Sequence, residues 1–380
     1  MQIPLGTLKE SHQRWYGKEA NITIRPFGVT LLLSLPRIGK SVVGRNILLE
    51  LYKRINSFDN KRIIIVDVYG EWIEKLLTMN YYADHPFKMH EKDITHLENV
   101  VCKISDFNKL EDWVSFEVPE RTSDLLAWAA QQVQVHDDDP DKFLGFLREI
   151  PTRDVPDLSQ FNKKYADKGI HLSKRVDDKV ATAMCNYVSS LVRRGFFKKE
   201  GDDKLYLTTE DWEGILEKTD VYKRGKIIII NLKLKGPTEK VKARATFGKI
   251  LEQLEPIMMR GYYHFHFFVE EADFTFPYLE EKFDTLPLSV IKGIEYVTKF
   301  QKFHVNFYLI AQRERRLTRS IATLATCRII SRVAPDEFKW NLDIGLKCKW
   351  HPDRNMREFC IVDQNGKYRI FTPYESECEP

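Results

Sequence analysis

Five short apolar runs, at residues 29–33, 63–66, 227–230, 265–269 and 305–311, limit what this chain can fold into more than any other feature. A strand with one wet face alternates apolar and polar residues, whereas these runs are nearly continuous and rich in β-branched and aromatic side chains. They predict strands of a parallel sheet covered on both faces. A sixth run, 328–331, is weaker. Helix-like segments lie between them, at 41–55 and at 238–260, where Val241, Ala245, Phe247, Ile250, Leu251 and Leu254 recur at roughly helical spacing. Strands and helices alternating in this way imply an α/β fold, a parallel-dominated sheet with helices on both faces.

The pattern has one long interruption. From about Lys109 to Tyr222 no strong strand run occurs, the composition turns polar around Asp137-Asp138-Asp139-Pro140, and helical patterns such as 180–194 replace it. This predicts a helical insertion between the second and third core strands. Its end, residues 191–197 followed by 198–207, reads either as a helix with a β-wing that would contact DNA or as a solvated helix terminus.

Composition narrows the class without naming it. A 380-residue chain with 43% hydrophobic residues can bury one large core or two medium ones. Lys and Arg number 59 against 55 acidic residues, so the net charge of +4 is too small to signal nucleic-acid binding, and any such site must be a local patch. The six cysteines show no CxxC spacing, which argues against zinc and against a secreted disulfide framework. No apolar run reaches the roughly 18 residues of a membrane span, and Gln2 and Lys9 stand where a signal peptide would be apolar. A soluble protein of the reducing cytoplasm is the expectation.

Three strand ends carry chemistry. The first run continues into Ser34-Leu35-Pro36-Arg37-Ile38-Gly39-Lys40-Ser41-Val42 and then a helix. This is the outline of a phosphate loop, in which Pro36, Arg37, Ile38, Gly39, Lys40, Ser41 and Val42 form the cradle. Lys40 would neutralise the β/γ-phosphates of ATP and Ser41 would hold Mg²⁺. A bare Gly-Lys-Ser after a strand is also an ordinary turn, and GxxxxGK[ST] would have Gly at Ser34. The fourth run ends in Glu270-Glu271-Ala272-Asp273. Paired acids there suit a Walker B strand, with Glu270 on the metal and Glu271 orienting the attacking water. The fifth run ends in Gln312, which would stand between the two and reach the γ-phosphate or the water. Asp67 and Glu71, at the end of the second run, are either nucleotide-binding carboxylates at the sheet edge or a capping acid and its turn.

Taken together, these motifs resemble the HerA–FtsK superfamily of DNA-pumping ATPases, and most closely its HerA branch. Asp67-Val68-Tyr69-Gly70-Glu71-Trp72 is similar to that branch's Asp-x-His-Gly-Glu-Tyr motif, and Phe268-Val269-Glu270-Glu271-Ala272-Asp273 to its Asp-Glu-Ala-His strand end. The resemblance implies a RecA-like P-loop core in two parts, residues 28–108 and 223–375. A helical insertion (109–222), a short N-terminal arm (1–27) and a tail (376–380) complete the chain. It implies a hexameric ring that hydrolyses ATP with Mg²⁺ and drives double-stranded DNA through its channel, in some relatives with a nuclease partner of NurA type. Departures at Ser34, Arg37 and Glu270, and Phe300-Gln301-Lys302-Phe303-His304 in place of an Arg-bearing stretch, point to a slow or partner-dependent ATPase. They also leave open a degenerate ring that scaffolds a nuclease or other effector. Arg328 and Arg332 are the candidates for an arginine supplied in trans. Lys233, Lys235, Lys240, Lys242 and Arg244 are the candidates for phosphate contacts to DNA, with Arg313, Arg315, Arg316 and Arg319 as a second basic group.

Overall fold

The structure is a computed structural model. It describes residues 2–8, 19–23, 28–34, 40–54, 60–78, 94–133, 139–152, 176–199, 201–218, 227–236, 239–279, 285–331, 359–363 and 368–373. Within these, eleven strands form one sheet. In chain order they are β1 (Gln2–Leu8), β2 (Glu19–Thr23), β3 (Gly28–Leu33), β4 (Lys61–Asp67), β5 (Ile94–Glu98) and β6 (Ile227–Asn231). They continue with β7 (His264–Val269), β8 (Val305–Ala311), β9 (Ala325–Ile330), β10 (Phe359–Asp363) and β11 (Tyr368–Pro373). The spatial order is β2-β1-β11-β10-β9-β3-β8-β7-β4-β6-β5. All neighbours from β9 to β5 are parallel, while β10, β11, β1 and β2 extend the sheet antiparallel beyond β9.

The six apolar runs coincide with β3, β4, β6, β7, β8 and β9, and their continuity has the expected cause: β3, β6 and β8 are buried along their whole length. Helix Lys240–Met259 packs on one face with Phe247, Leu251 and Leu254, and helices Lys40–Arg54 and Trp72–Thr78 cover the other with Val43, Ile47, Leu48 and Trp72. Residues 94–98 form a strand that the sequence did not announce. Placed at the sheet margin against β6 alone, β5 buries only Leu97 and needs no apolar run.

Between β5 and β6 the chain forms helices Leu110–Val114, Glu120–Val133, Pro140–Glu149, Asp178–Arg193 and Thr209–Lys218. They enclose a core of their own around Trp113, Phe143, Met184, Phe196 and Phe197, which also takes in Val241 and Ala245 of helix Lys240–Met259. At the end of the insertion the chain pairs back on residues just past β5. Phe197 bridges Cys102 and Leu205 bridges Val100, both in parallel.

Candidate active site

The order β3-β8-β7 decides the layout of the site. In a parallel sheet every strand ends on the same edge, and with β8 between the phosphate-loop strand and the acidic strand, Gln312 emerges between Lys40 and Glu270-Glu271. Lys40 opens the 15-residue helix Lys40–Arg54, whose free N-terminal N–H groups and dipole favour an anion. Its ammonium lies 3.9 Å from Glu271 Oε1, with side chains only 10% and 13% exposed. Gln312 Nε2 donates to both carboxylate oxygens of Glu271, at 3.4 and 3.3 Å. The structure thus brings the three proposed catalytic side chains together.

Backbone conformation aims Glu271. The residue has φ 44 and ψ 54, left-handed values that a Glu rarely adopts, and it stands directly before the short helix Ala272–Thr275. The Phe274 N–H donates to the Glu271 carbonyl at 2.7 Å and stabilises the turn. Such a conformation costs on the order of 1–3 kcal/mol and persists where the surroundings impose it. Glu270, 9% exposed, precedes it, and its N–H donates to the Val66 carbonyl.

Two residues not singled out from the sequence belong to this cluster. Asp273 is 8% exposed, its Oδ1 accepts no hydrogen bond among the described residues, and Arg316 lies 3.9 Å from its Oδ2. Burial and then the neighbouring Glu271 charge push its carboxyl up to about 6. Tyr69 follows β4 and faces the same acids; burial, then Glu271, Glu270, Asp273 and Glu71, raise its hydroxyl pKa. The signal for Asp273 was its position two residues after Glu271.

Elsewhere the structure reassigns residues. The Asp67 carboxylate is 0% exposed and accepts from the N–H groups of Gly70, Glu71 and Trp72 at 2.8–3.2 Å. It organises the turn and caps helix Trp72–Thr78, so the capping alternative holds and the carboxylate is not directed at a nucleotide. Gly70, at φ 86, lies so close to Asn231 that a Cβ would stand 2.7 Å from Nδ2. Glu71 is exposed beside this turn. Arg328 is not available to a neighbouring subunit: it is 9% exposed, and its guanidinium holds Glu314 through contacts of 3.0, 3.1 and 3.3 Å. Sequence could not pair it with a carboxylate fourteen positions upstream. Pro36, Arg37, Ile38, Gly39 and Arg332 lie outside the described residues.

The proposed DNA cluster divides. Lys233, Lys235 and Lys240 are exposed, with Lys233 paired to Glu98 and Lys240 3.9 Å from Glu117. Lys242 and Arg244 are 6% and 1% exposed because the helical insertion covers the start of helix Lys240–Met259. Burial lowers the Lys242 pKa, and Arg244 is paired to Glu117 at 3.0 Å. Neither is a contact for a passing duplex. Of the second basic group, Arg315, Arg316 and Arg319 are exposed and Arg313 is half-buried.

Ser41 and Glu270 supply hydroxyl and carboxylate oxygens, hard donors of the type Mg²⁺ takes when substrate phosphates and water complete its shell. Their chemistry fits that ion. Among the described residues no group of three or more His, Cys, Asp or Glu side chains is arranged to hold a metal by protein ligands alone.

Comparison with solved structures gives the class of this fold. VirB4 of Thermoanaerobacter pseudethanolicus superposes with a TM-score of 0.58 at 12% identity, over 99% of this chain and 97% of that one. The bacterial conjugative coupling protein TrwB superposes with a TM-score of 0.56 at 11% identity, over 93% of this chain and 87% of that one. TrwB in complex with the non-hydrolysable GTP analogue GDPNP gives 0.52 at 11% identity, over 98% and 87%. This chain shares the RecA-like P-loop fold of VirB4 and TrwB. No family model and no curated protein sequence matches it. No helix among the described residues is long and apolar enough to cross a membrane.

Proposed function

We propose that this chain is an ATP-driven motor that moves double-stranded DNA, working as a closed ring of identical subunits. The observation that carries the reading is the convergence of Lys40, Glu271 and Gln312 on one sheet edge. Lys40, at a helix N-terminus, meets the β- and γ-phosphates. Glu271 accepts the proton of the attacking water, and Gln312 orients that water between carboxylate and phosphate. Ser41 and Glu270 would hold Mg²⁺, which when bound would supply positive charge against the phosphates. The likeness to TrwB, which binds a GTP analogue in a structure of this fold, supports a nucleotide at this edge. DNA meets the exposed Lys233, Lys235 and Lys240 through its phosphates, so binding is sequence-independent. With Arg328 committed internally, a ring would have to draw its trans arginine from another residue.

Lys40→Ala should abolish nucleotide binding. Glu271→Gln should keep binding while lowering turnover by about 10²–10⁴. Isothermal titration with ATP-γ-S and a DNA-stimulated phosphate-release assay check both. Equal nucleotide affinity in wild type and Lys40→Ala would remove the assignment.

A further inference from the structure

We propose that Arg328 and Glu314 form a positioning pair for Gln312, holding the segment after β8 so that the Gln312 amide stays in reach of Glu271. The inference rests on the ATPase reading above. Its geometry begins with distances that leave no slack: the two contacts between Gln312 and Glu271, at 3.3 and 3.4 Å, lie at the outer limit of a hydrogen bond. A displacement of about half an ångström would break them. Gln312 directly follows β8, where the Ala311 carbonyl accepts from the Ser34 N–H at 3.3 Å, so the sheet holds it from one side and the residues that follow must hold it from the other.

Those residues form a strap fastened at both ends. On one side the Tyr278 N–H donates to the Arg316 carbonyl at 2.8 Å, the Thr318 N–H to the Phe276 carbonyl at 2.9 Å, and Thr318 Oγ1 to the Pro277 carbonyl at 2.7 Å. This ties the strap to the chain leaving Glu271. On the other side Glu314 is gripped by Arg328, which stands in β9 opposite Leu31 of the phosphate-loop strand. Arg328 also donates to the Ala322 carbonyl at 2.8 Å, closing the end of helix Arg319–Thr323. Glu314 is two residues from Gln312, a span of at most about 7 Å, so a slip at Glu314 is transmitted to the amide.

Energetics favour a geometric role. A buried ion pair contributes little net stability compared with an apolar pair of the same volume. A forked guanidinium–carboxylate contact, however, fixes distance and plane together, which Lys cannot do. The Arg328 guanidinium bonds to Glu314 and to the carbonyls of Ala322 and Ala325, and so acts through Gln312.

The test is a double-mutant cycle on ATP hydrolysis by the full chain, with wild type, Arg328→Lys, Gln312→Ala and both together. Melting curves verify that each is folded. Arg328→Lys should lower kcat about ten- to a hundredfold, with KM within about twofold. In the Gln312→Ala background the same substitution should change kcat no further. A fold-only role would lower kcat by the same factor in both backgrounds, and that additive result overturns the inference, as does an unchanged kcat in folded Arg328→Lys. If Arg328→Lys does not fold, Glu314→Asp, which shortens the pair from the other side, is run through the same cycle and read by the same criteria. A wild-type protein without hydrolysis removes the ATPase reading and this inference together; an active wild type with an additive cycle removes the inference alone.

Discussion

Lys40 and Lys249 are both nearly buried lysines facing carboxylates, yet they are held in different ways. Lys40 stands 3.9 Å from Glu271, and its neighbours Asp273 and Arg316 are again 3.9 Å apart. Lys249 lies in the seam between the helical insertion and helix Lys240–Met259, 2.9 Å from Asp112 and 2.8 Å from Glu252. Arg244 repeats the tight pattern with Glu117 at 3.0 Å, and Arg328 with Glu314. A cation that must turn to a phosphate cannot be spent on a close, dry pair. One that joins two bodies of the fold must be, since an unpaired buried charge costs several kcal/mol. Among these buried cations, the loose pairing of Lys40 fits the ligand role proposed for it, and the tight pairs fit a packing role.

The largest expected effect tests that separation. Lys249→Met leaves Asp112 buried without its cation and should destabilise the protein by about 3–5 kcal/mol. Lys40→Met removes a loose contact and should change stability by no more than about 1 kcal/mol, or raise it, as strained functional sites do when neutralised. Urea denaturation of both variants decides, and equal losses would end the comparison.

A second effect follows from Asp273. Its carboxyl is pushed up to about 6 by burial and by Glu271, from the ordinary 3.8 of an aspartate. The folded state therefore binds its proton more tightly than the unfolded chain does. Stability from this group is fully present below the unfolded pKa and is lost as pH rises towards about 6, by at most about 3 kcal/mol. Asp273→Asn should flatten the fall in stability between about pH 4 and 6, measured by denaturation across that range. An unchanged slope would mean that Asp273 titrates like an exposed acid.

The same division explains what sequence could and could not disclose. Continuous burial leaves a direct trace, so β3, β4, β6, β7, β8 and β9 are legible as apolar runs, and their ends point to Lys40, Glu271 and Gln312. Margins left little trace: β5 reads Ile-Thr-His-Leu-Glu and is indistinguishable from a loop. The antiparallel extension was missed as well, although Phe359–Asp363 is apolar, because nothing local says which strand it pairs with. The burial of Arg328, Lys242 and Arg244 is hidden from the sequence for one physical reason. A basic residue near a strand end or helix start looks solvated until the element that covers it is known, and Glu314 and the helical insertion are distant in sequence. Asp67 was readable both ways, and only the N–H groups of Gly70, Glu71 and Trp72 decide between them.

The smallest effect sharpens the comparison at the surface. Lys233, Lys235 and Lys240 are exposed, and their ion pairs with Glu98 and Glu117 are solvated contacts worth little. They remain usable for phosphates, whereas Lys242, only a few residues away, is enclosed. Replacing the three exposed lysines by Ala should weaken binding to all duplexes alike and flatten the slope of log affinity against log salt by up to about 0.9 for each lost phosphate contact. Lys242→Met should leave that slope as it is. Fluorescence anisotropy with two unrelated duplexes over a range of salt concentrations measures both variants side by side. If Lys242→Met flattens the slope as the triple variant does, the start of helix Lys240–Met259 must open to admit DNA, and burial in this fold does not mark which cations are reserved for packing.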